Sequence, residues 1–435
     1  MVGDELDARG GAHVKFLALA FMMAVVVPFL AKKASESQVL RRVLVGFLAF
    51  DMFNPMDMNL ISEEHYRGDS RGIEITMVDL ALLALFFAQR LRKQPVLDAH
   101  RMWLSRGLYL AAVLLSLTAT PDVMKSSYGL WKLLRMYFAF DVLCTAFLEM
   151  ELVSAATYGL GAAVISQGLI AFQQKYMYGM VRVMGSQAHP NSLAMIVNLI
   201  SPMAFALLLA GKGRWPLLAA IVAVAGLCNI FSLSRGGMMM FLAAMGATFL
   251  LSLTRGVTKR KLAILATGVV GIGAVLAKSA DTIVNRFLNA PKESEEARHL
   301  FNEACKMMAS EHLFGVGFNM YSWVLDKGGY ADRLGIYEGD RSGIAHHIYW
   351  LTAAELGYFG LIAYALVLAT VWLSCLRCVW IHGVRGDLAI GILAGITVTY
   401  IQGTAEWIMR QTNFQYVFWM LAALVLSFRK HARDT

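Results

Sequence analysis

Apolar residues run along this chain in blocks of helix-spanning length, separated by short polar breaks. The blocks fall at 13–31, 42–58, 73–91, 103–119, 128–148, 151–172, 191–211, 215–234, 236–254, 261–279, 346–376, 387–405 and 412–428. A bilayer core takes about 20 apolar residues per helix, and lipid leaves a chain few ways besides helix to satisfy its backbone. The pattern predicts an all-α polytopic membrane bundle of about 12–13 transmembrane helices. One sizeable polar segment, 280–345, interrupts it. The expected organisation is an N-terminal bundle over 1–279, an outer loop region over 280–345 and C-terminal helices over 346–435. The block at 346–376 is long enough to tilt or to protrude into water. No internal repeat, heptad array or low-complexity tract is present.

Composition agrees. Hydrophobic residues make up 58% of the 435 positions and charged residues 16%, against about 25% charged in an ordinary soluble chain. Asp4, Glu5 and Asp7 precede the first block, where a secretory signal would want a basic start, so that block is expected to be a retained span. The formal charge of +9 does not require nucleic acid, because the basic residues cluster in short loops as the positive-inside rule predicts. The five cysteines give no disulfide framework. Cys375 and Cys378 form a CxxC at the basic side of a helix and read as small apolar fillers.

Charge then orients the chain. "AKKASESQVLRR", "QRLRKQPVLDAHR", "GKGR", "TRGVTKRK", "RCVWIHGVR" and "FRKHARD" are strongly basic and alternate with loops that are not. Placing them in the cytoplasm puts Tyr176–Pro190, Ser234–Gly236, 280–345 and "EWIMRQTN" on the opposite face. Lys132 and Arg135 fall on that outer side too and strain the scheme.

Polar chemistry gathers on the outer face. "YMYGMVRVMGSQAHPNSLAM" brings Arg182, His189, Pro190 and Asn191 to the start of a helix. Pro190 and Asn191 suit a first turn, so a well-made helix start alone would account for them. "SLSRGG" places Arg235 between two apolar runs. Charges at helix centres in a membrane cost at least ~2.5–3.5 kcal/mol and persist where they pair or face a polar cavity. The alternative for Arg235 is an arginine that snorkels to the interface. Glu74 and Asp79 are expected to pair with nearby arginine. For Glu355, a buried structural hydrogen bond and a site role both stand. Arginine's planar fork suits diphosphate oxygens, helix starts add N–H donors, and a histidine can take a proton from a sugar hydroxyl. That combination suggests a lipid-linked diphosphate donor. The sequence offers no DxD and no Cys ligand set on the outer face, so arginines would take the place of a metal ion.

The ordered set "R-x-x-G-x-x-x-HPN" (Arg182, Gly185, His189, Pro190, Asn191), "SRGG" around Arg235, "R-…-GVG" from Arg298 to Gly317 and "HHIYWLTAAELGYFG" from His346 to Gly360 resembles the O-antigen ligase and polymerase superfamily. These are bacterial polytopic inner-membrane enzymes that transfer a glycan from undecaprenyl diphosphate on the periplasmic face. The resemblance covers most of 130–430. It implies that Arg182 and Arg298 hold the diphosphate and that His346 stands near the acceptor hydroxyl. Arg235 would be a supporting cation. His189, Asn191, His347, Arg341, Glu355 and Arg410 complete the implied substrate-binding set. It also implies inverting transfer without metal or cofactor, to a glycan or lipid A-core acceptor. Two departures stand out. The family often has His-Asn where this chain has His346-His347; either histidine can act, and the register favours His346. About twelve spans are usual where thirteen blocks occur here.

A polymerase extending lipid-linked repeats shares this donor chemistry. It would need a second diphosphate site, for which Arg67, Arg71, Lys132, Arg135 and Arg410 are the candidates. A secondary transporter would need related halves and mid-membrane charges, whereas these charges sit at one face.

Overall fold

The computed structural model of this protein describes residues 15–94, 100–271, 273 and 292–434. Outside them lie Asp4, Glu5 and Asp7, positions 13–14 of the first block, 95–99 of the second basic loop, 272 and 274–279 of the block at 261–279, and 280–291 of the polar segment.

Every apolar block carries a helix. These are α1 (Lys15–Glu36), α2 (Gln38–Asp51), α3 (Met77–Leu91), α4 (His100–Ser116), α5 (Val123–Ala146), α6 (Met150–Tyr176), α7 (Pro190–Ala210), α8 (Trp215–Ser232), α9 (Arg235–Ser252) and α10 (259–271). The polar segment folds into α11 (Lys292–Glu311) and α12 (Tyr321–Lys327), and the chain ends with α13 (Ile348–Cys378), α14 (Val384–Gln402) and α15 (Thr412–Asp434). Among the described residues, seven helices are long and apolar enough to cross a membrane: α1, α6, α7, α8, α9 with its C-terminal turn, α13 and α14. The protein is a multi-pass helical membrane protein. Other expected spans are helices too short or too charged to qualify alone; α5 carries Lys132, Arg135 and Asp141.

Three expected boundaries move. The block at 42–58 stops being helical at Asp51, because Asn54 and Pro55 end it, and 57–62 is a strand instead. That strand, β1 (Asp57–Ser62), pairs antiparallel with β2 (Gly72–Thr76). The block at 73–91 therefore begins as strand, and α3 starts at a capping box in which Thr76 and Asp79 bond each other's backbone. The long block at 346–376 is broken at Gly357, whose φ of 68° no L side chain adopts readily. The break leaves the carbonyls of Ala354 and Glu355 open. The Gly315–Gly317 turn fills them: Val316 N–H donates to Ala354 O at 2.9 Å and Gly317 N–H to Glu355 O at 3.1 Å. The turn can come this close because a Cβ at Gly315 would lie 2.2 Å from the Glu355 carbonyl carbon.

The interior is helix against helix. α14 lies against α7 through Gly391 and Gly395, where a Cβ would come within 2.4 Å of Pro202 O and Leu199 O respectively. This is the close backbone approach that small residues permit in membranes. All five cysteines are free and buried, Cys375 and Cys378 as expected of apolar fillers.

The two ends of the bundle differ in charge. At one end the basic loops meet: Arg41 and Arg92 pair with Glu149, Arg385 reaches Met150, and Arg255 donates to the carbonyls of Val379 and Ile381. The opposite, polar end carries the hairpin, α11 and α12. There Ser70 N–H donates to Asn319 Oδ1 at 2.9 Å and Ser322 Oγ to Arg67 O at 3.1 Å, so the hairpin loop is stitched to the turn before α12.

Candidate functional site

The loop after α6 is held by side-chain amides. Gln174 Oε1 accepts from the N–H groups of Met184 and Gly185, and Gln167 Oε1 from that of Ser186. Val183 N–H donates to Phe231 O at 3.1 Å, which sets the loop against the end of α8. Arg182 is thereby placed between two helix ends. Its Nε donates to Ser232 O at 3.2 Å and a terminal nitrogen donates to Asn191 Oδ1 at 3.2 Å. His189 caps α7, Pro190 takes its first position, and Asn191 is buried behind them.

Asn191 leads to a residue absent from the expected set. Its Nδ2 donates to Glu406 Oε1 at 2.5 Å. Glu406 sits in the turn between α14 and α15 and is 6% exposed. Its other oxygen meets His346 Nδ1 at 3.2 Å, and Arg298, from α11, approaches at 3.8 Å. Three segments far apart in sequence thus converge on one buried carboxylate in a fourth. The turn holding Glu406 is fixed to the start of α13, since Ile348 N–H donates to Gly403 O at 2.9 Å. Sequence reasoning passed over Glu406 because "EWIMRQTN" reads as a plain outer turn; the available signal was a carboxylate four residues before Arg410 in a short turn between apolar runs.

Other expected residues separate. Arg235 begins α9 just after Ser234, its N-cap, and is half-buried; among the described residues its side chain has no hydrogen-bond or ion-pair partner. It stands three residues beyond the carbonyl that Arg182 holds. His347 caps α13, its Nδ1 accepting Trp350 N–H at 3.3 Å, and its ring lies beside Tyr349 and Trp350. Of the two histidines, His346 is the one at Glu406. Arg341 pairs with Asp332 at 2.5 Å within the outer loop rather than joining the group.

Glu355 and Arg410, expected among the substrate-binding residues, form a second, closed network. Arg410 is 1% exposed; it meets Glu355 at 2.6 Å and Asp69 at 3.5 Å, and its guanidinium lies over Phe318. Lys132 donates to the carbonyls of Arg410 and Asp69 and lies 3.5 Å from the Asp69 carboxylate. These side chains are buried and paired with one another, an arrangement that joins α5, α13, the hairpin loop and the turn before α15. Glu355 takes the structural alternative. Nearby, Arg135 pairs with Asp79 at 2.7 Å and Glu74 at 3.6 Å, as expected of those acids. Lys132 and Arg135 do reach the polar end, where internal acids account for them. Three of the five basic groups considered for a second diphosphate site are consumed in this way. Among the described residues no group of three or more His, Cys, Asp or Glu is placed to hold a metal ion.

A multi-pass helical bundle with an arginine- and histidine-bearing group at one end is the class these features define. Residues 218–365, from α8 into α13, match the family described as O-antigen ligase. The superfamily likeness read from the motifs is thereby shown for the stretch that carries Arg235, Arg298 and His346. Arg182, His189, Asn191 and Glu406 lie outside the matched residues and reach them through the contacts above. No curated protein matches the chain. The family carries with it glycosyltransferase-like chemistry on lipid-linked glycans in a membrane.

Proposed function

We propose that this protein transfers a glycan from undecaprenyl diphosphate to an acceptor hydroxyl on the periplasmic face of a bacterial inner membrane, in the manner of an O-antigen ligase. The observation that carries the reading is the convergence of Asn191, Arg298 and His346 on buried Glu406, with Arg182 bonded to Asn191. Arg182 and Arg298 bind the diphosphate and disperse the charge that builds on it as the glycosyl bond breaks, with Arg235 in support. The Glu406 carboxylate fixes His346 with its proton on Nδ1, leaving Nε2 to accept the proton of the acceptor hydroxyl. The acceptor oxygen attacks the anomeric carbon from the face opposite the diphosphate and inverts it. Guanidinium groups do the work a divalent cation does elsewhere, and no metal is required.

The ligase form is preferred to a polymerase because Lys132, Arg135 and Arg410 are engaged with internal acids, leaving only exposed Arg67 and Arg71 of that proposed second site. The test is release of undecaprenyl diphosphate from a lipid-linked donor by the purified protein. Wild-type rates in Arg298→Ala and His346→Ala would remove the mechanism.

A further inference from the structure

His189 caps α7 through Nδ1, which accepts the backbone N–H of Asn191 at 3.1 Å. A ring nitrogen that accepts a hydrogen bond carries no proton, so the neutral ring holds its hydrogen on Nε2. A doubly protonated ring would turn Nδ1 into a donor facing another donor and break the cap. The surroundings act in the same direction. Partial desolvation comes first, and the charges of Arg182 and Arg298 add to it; together they lower the His189 pKa against the opposing pull of Glu406. The residue is open at the polar end of the bundle. His346 is the mirror case in the mechanism above: its Nδ1 meets Glu406 at 3.2 Å, and with the proton on that nitrogen Nε2 is the acceptor. One group therefore holds two imidazoles of opposite capacity, an acceptor and a neutral donor. The His189 ring lies within electrostatic range of Arg182, Arg298 and Glu406, at the helix start where Arg182 bonds Asn191.

We infer that His189 is a catalytic residue that donates its Nε2–H to the phosphate oxygen departing from the anomeric carbon of a polyprenyl-diphosphate-linked glycan. The inference rests on the reading above. In the step, the acceptor oxygen bonds to the anomeric carbon as the carbon–oxygen bond to phosphate breaks. The bonding pair leaves with that phosphate oxygen, and the acceptor proton goes to His346 Nε2. The His189 hydrogen stays on its nitrogen and stabilises the new anionic charge without transferring.

Two substitutions separate this role from capping. In His189→Asn the side-chain oxygen sits where Nδ1 was and keeps the cap, but the outward donor is lost. In His189→Gln the amide nitrogen reaches the Nε2 position while the cap is lost. Both variants are purified in detergent and checked for a single folded species. Binding of undecaprenyl diphosphate and transfer from a lipid-linked donor are then measured. His189→Asn is expected to lose about 10²–10³-fold in transfer and to bind the lipid diphosphate more weakly, as removal of one preorganised donor does. His189→Gln should stay within about threefold of wild type, inside the range of one neutral hydrogen bond. The reverse order would make the ring a cap only. Equal effects in the two variants, or none in either, would equally overturn the inference. His346→Ala is run alongside: full activity there sinks the parent reading, whereas an inactive His346→Ala beside an unaffected His189→Asn sinks this one alone.

Discussion

Two charged clusters share the turn between α14 and α15, Glu406 in one and Arg410 in the other. They are built on opposite plans. Around Arg410, each buried cation has its acid: Glu355 and Asp69 for Arg410, Asp69 for Lys132, Asp79 and Glu74 for Arg135. Around Glu406, among the described residues, one carboxylate meets Arg298 and His346 and receives Arg182 through Asn191, while Arg235 has no described partner. A buried cluster whose charges balance has little net field to offer an anion, and its pairs join separate elements. A cluster with surplus positive charge, opening at the end of the bundle, is poised for an anion. Charge balance, more than the number of arginines, separates structure from site here.

The comparison can be broken most directly by removing the surplus. Arg182→Ala, Arg298→Ala and His346→Ala should each cut glycan transfer by at least ~10²-fold, as loss of a preorganised group does. Membrane insertion and purification should stay normal. Transfer from a lipid-linked donor by purified protein measures the first, and elution with thermal unfolding the second. Arg410→Ala should do the opposite. It strands buried Glu355 and should cost about 3–5 kcal/mol of stability, read as a lower unfolding midpoint in detergent. Pairing it with Glu355→Leu should recover part of that loss, since removing both charges leaves none uncompensated. An Arg410→Ala protein as stable as wild type yet inactive would move Arg410 into the site and end the distinction.

Smaller effects sharpen the same contrast. Glu406→Gln keeps an oxygen for Asn191 but loses the charge that orients and compensates His346. A fall of about 10–100-fold in transfer is expected, the usual loss when an orienting partner goes. Smallest of all, chelation of divalent metal should leave transfer unchanged; strict dependence on added cation would overturn diphosphate binding by arginine alone.

Much of this protein was legible in one dimension. Each apolar block carries a helix among the described residues, and seven of those helices are long and apolar enough to cross a membrane, because backbone in lipid must be satisfied within its own segment. The alternation of basic loops sorted the chain into two ends that the contacts at Glu149 and Glu406 reproduce. The motif order picked out Arg182, Arg298, His189, Asn191 and His346, which meet directly or through one intermediary. Tertiary structure alone decided the rest. Glu406 gains its meaning from Asn191, 215 positions away, and no local period encodes such a partner. That Arg410 and Glu355 pair with each other, with Asp69 and Lys132 beside them, is equally invisible in the sequence. Gly357 breaks α13 because the Gly315–Gly317 turn supplies the lost hydrogen bonds, a trade invisible until the two are adjacent. Hydrophobic pattern acts over one helix and can be read from it; charge pairing and ring tautomers depend on which helix ends meet, and that is settled only when the bundle closes.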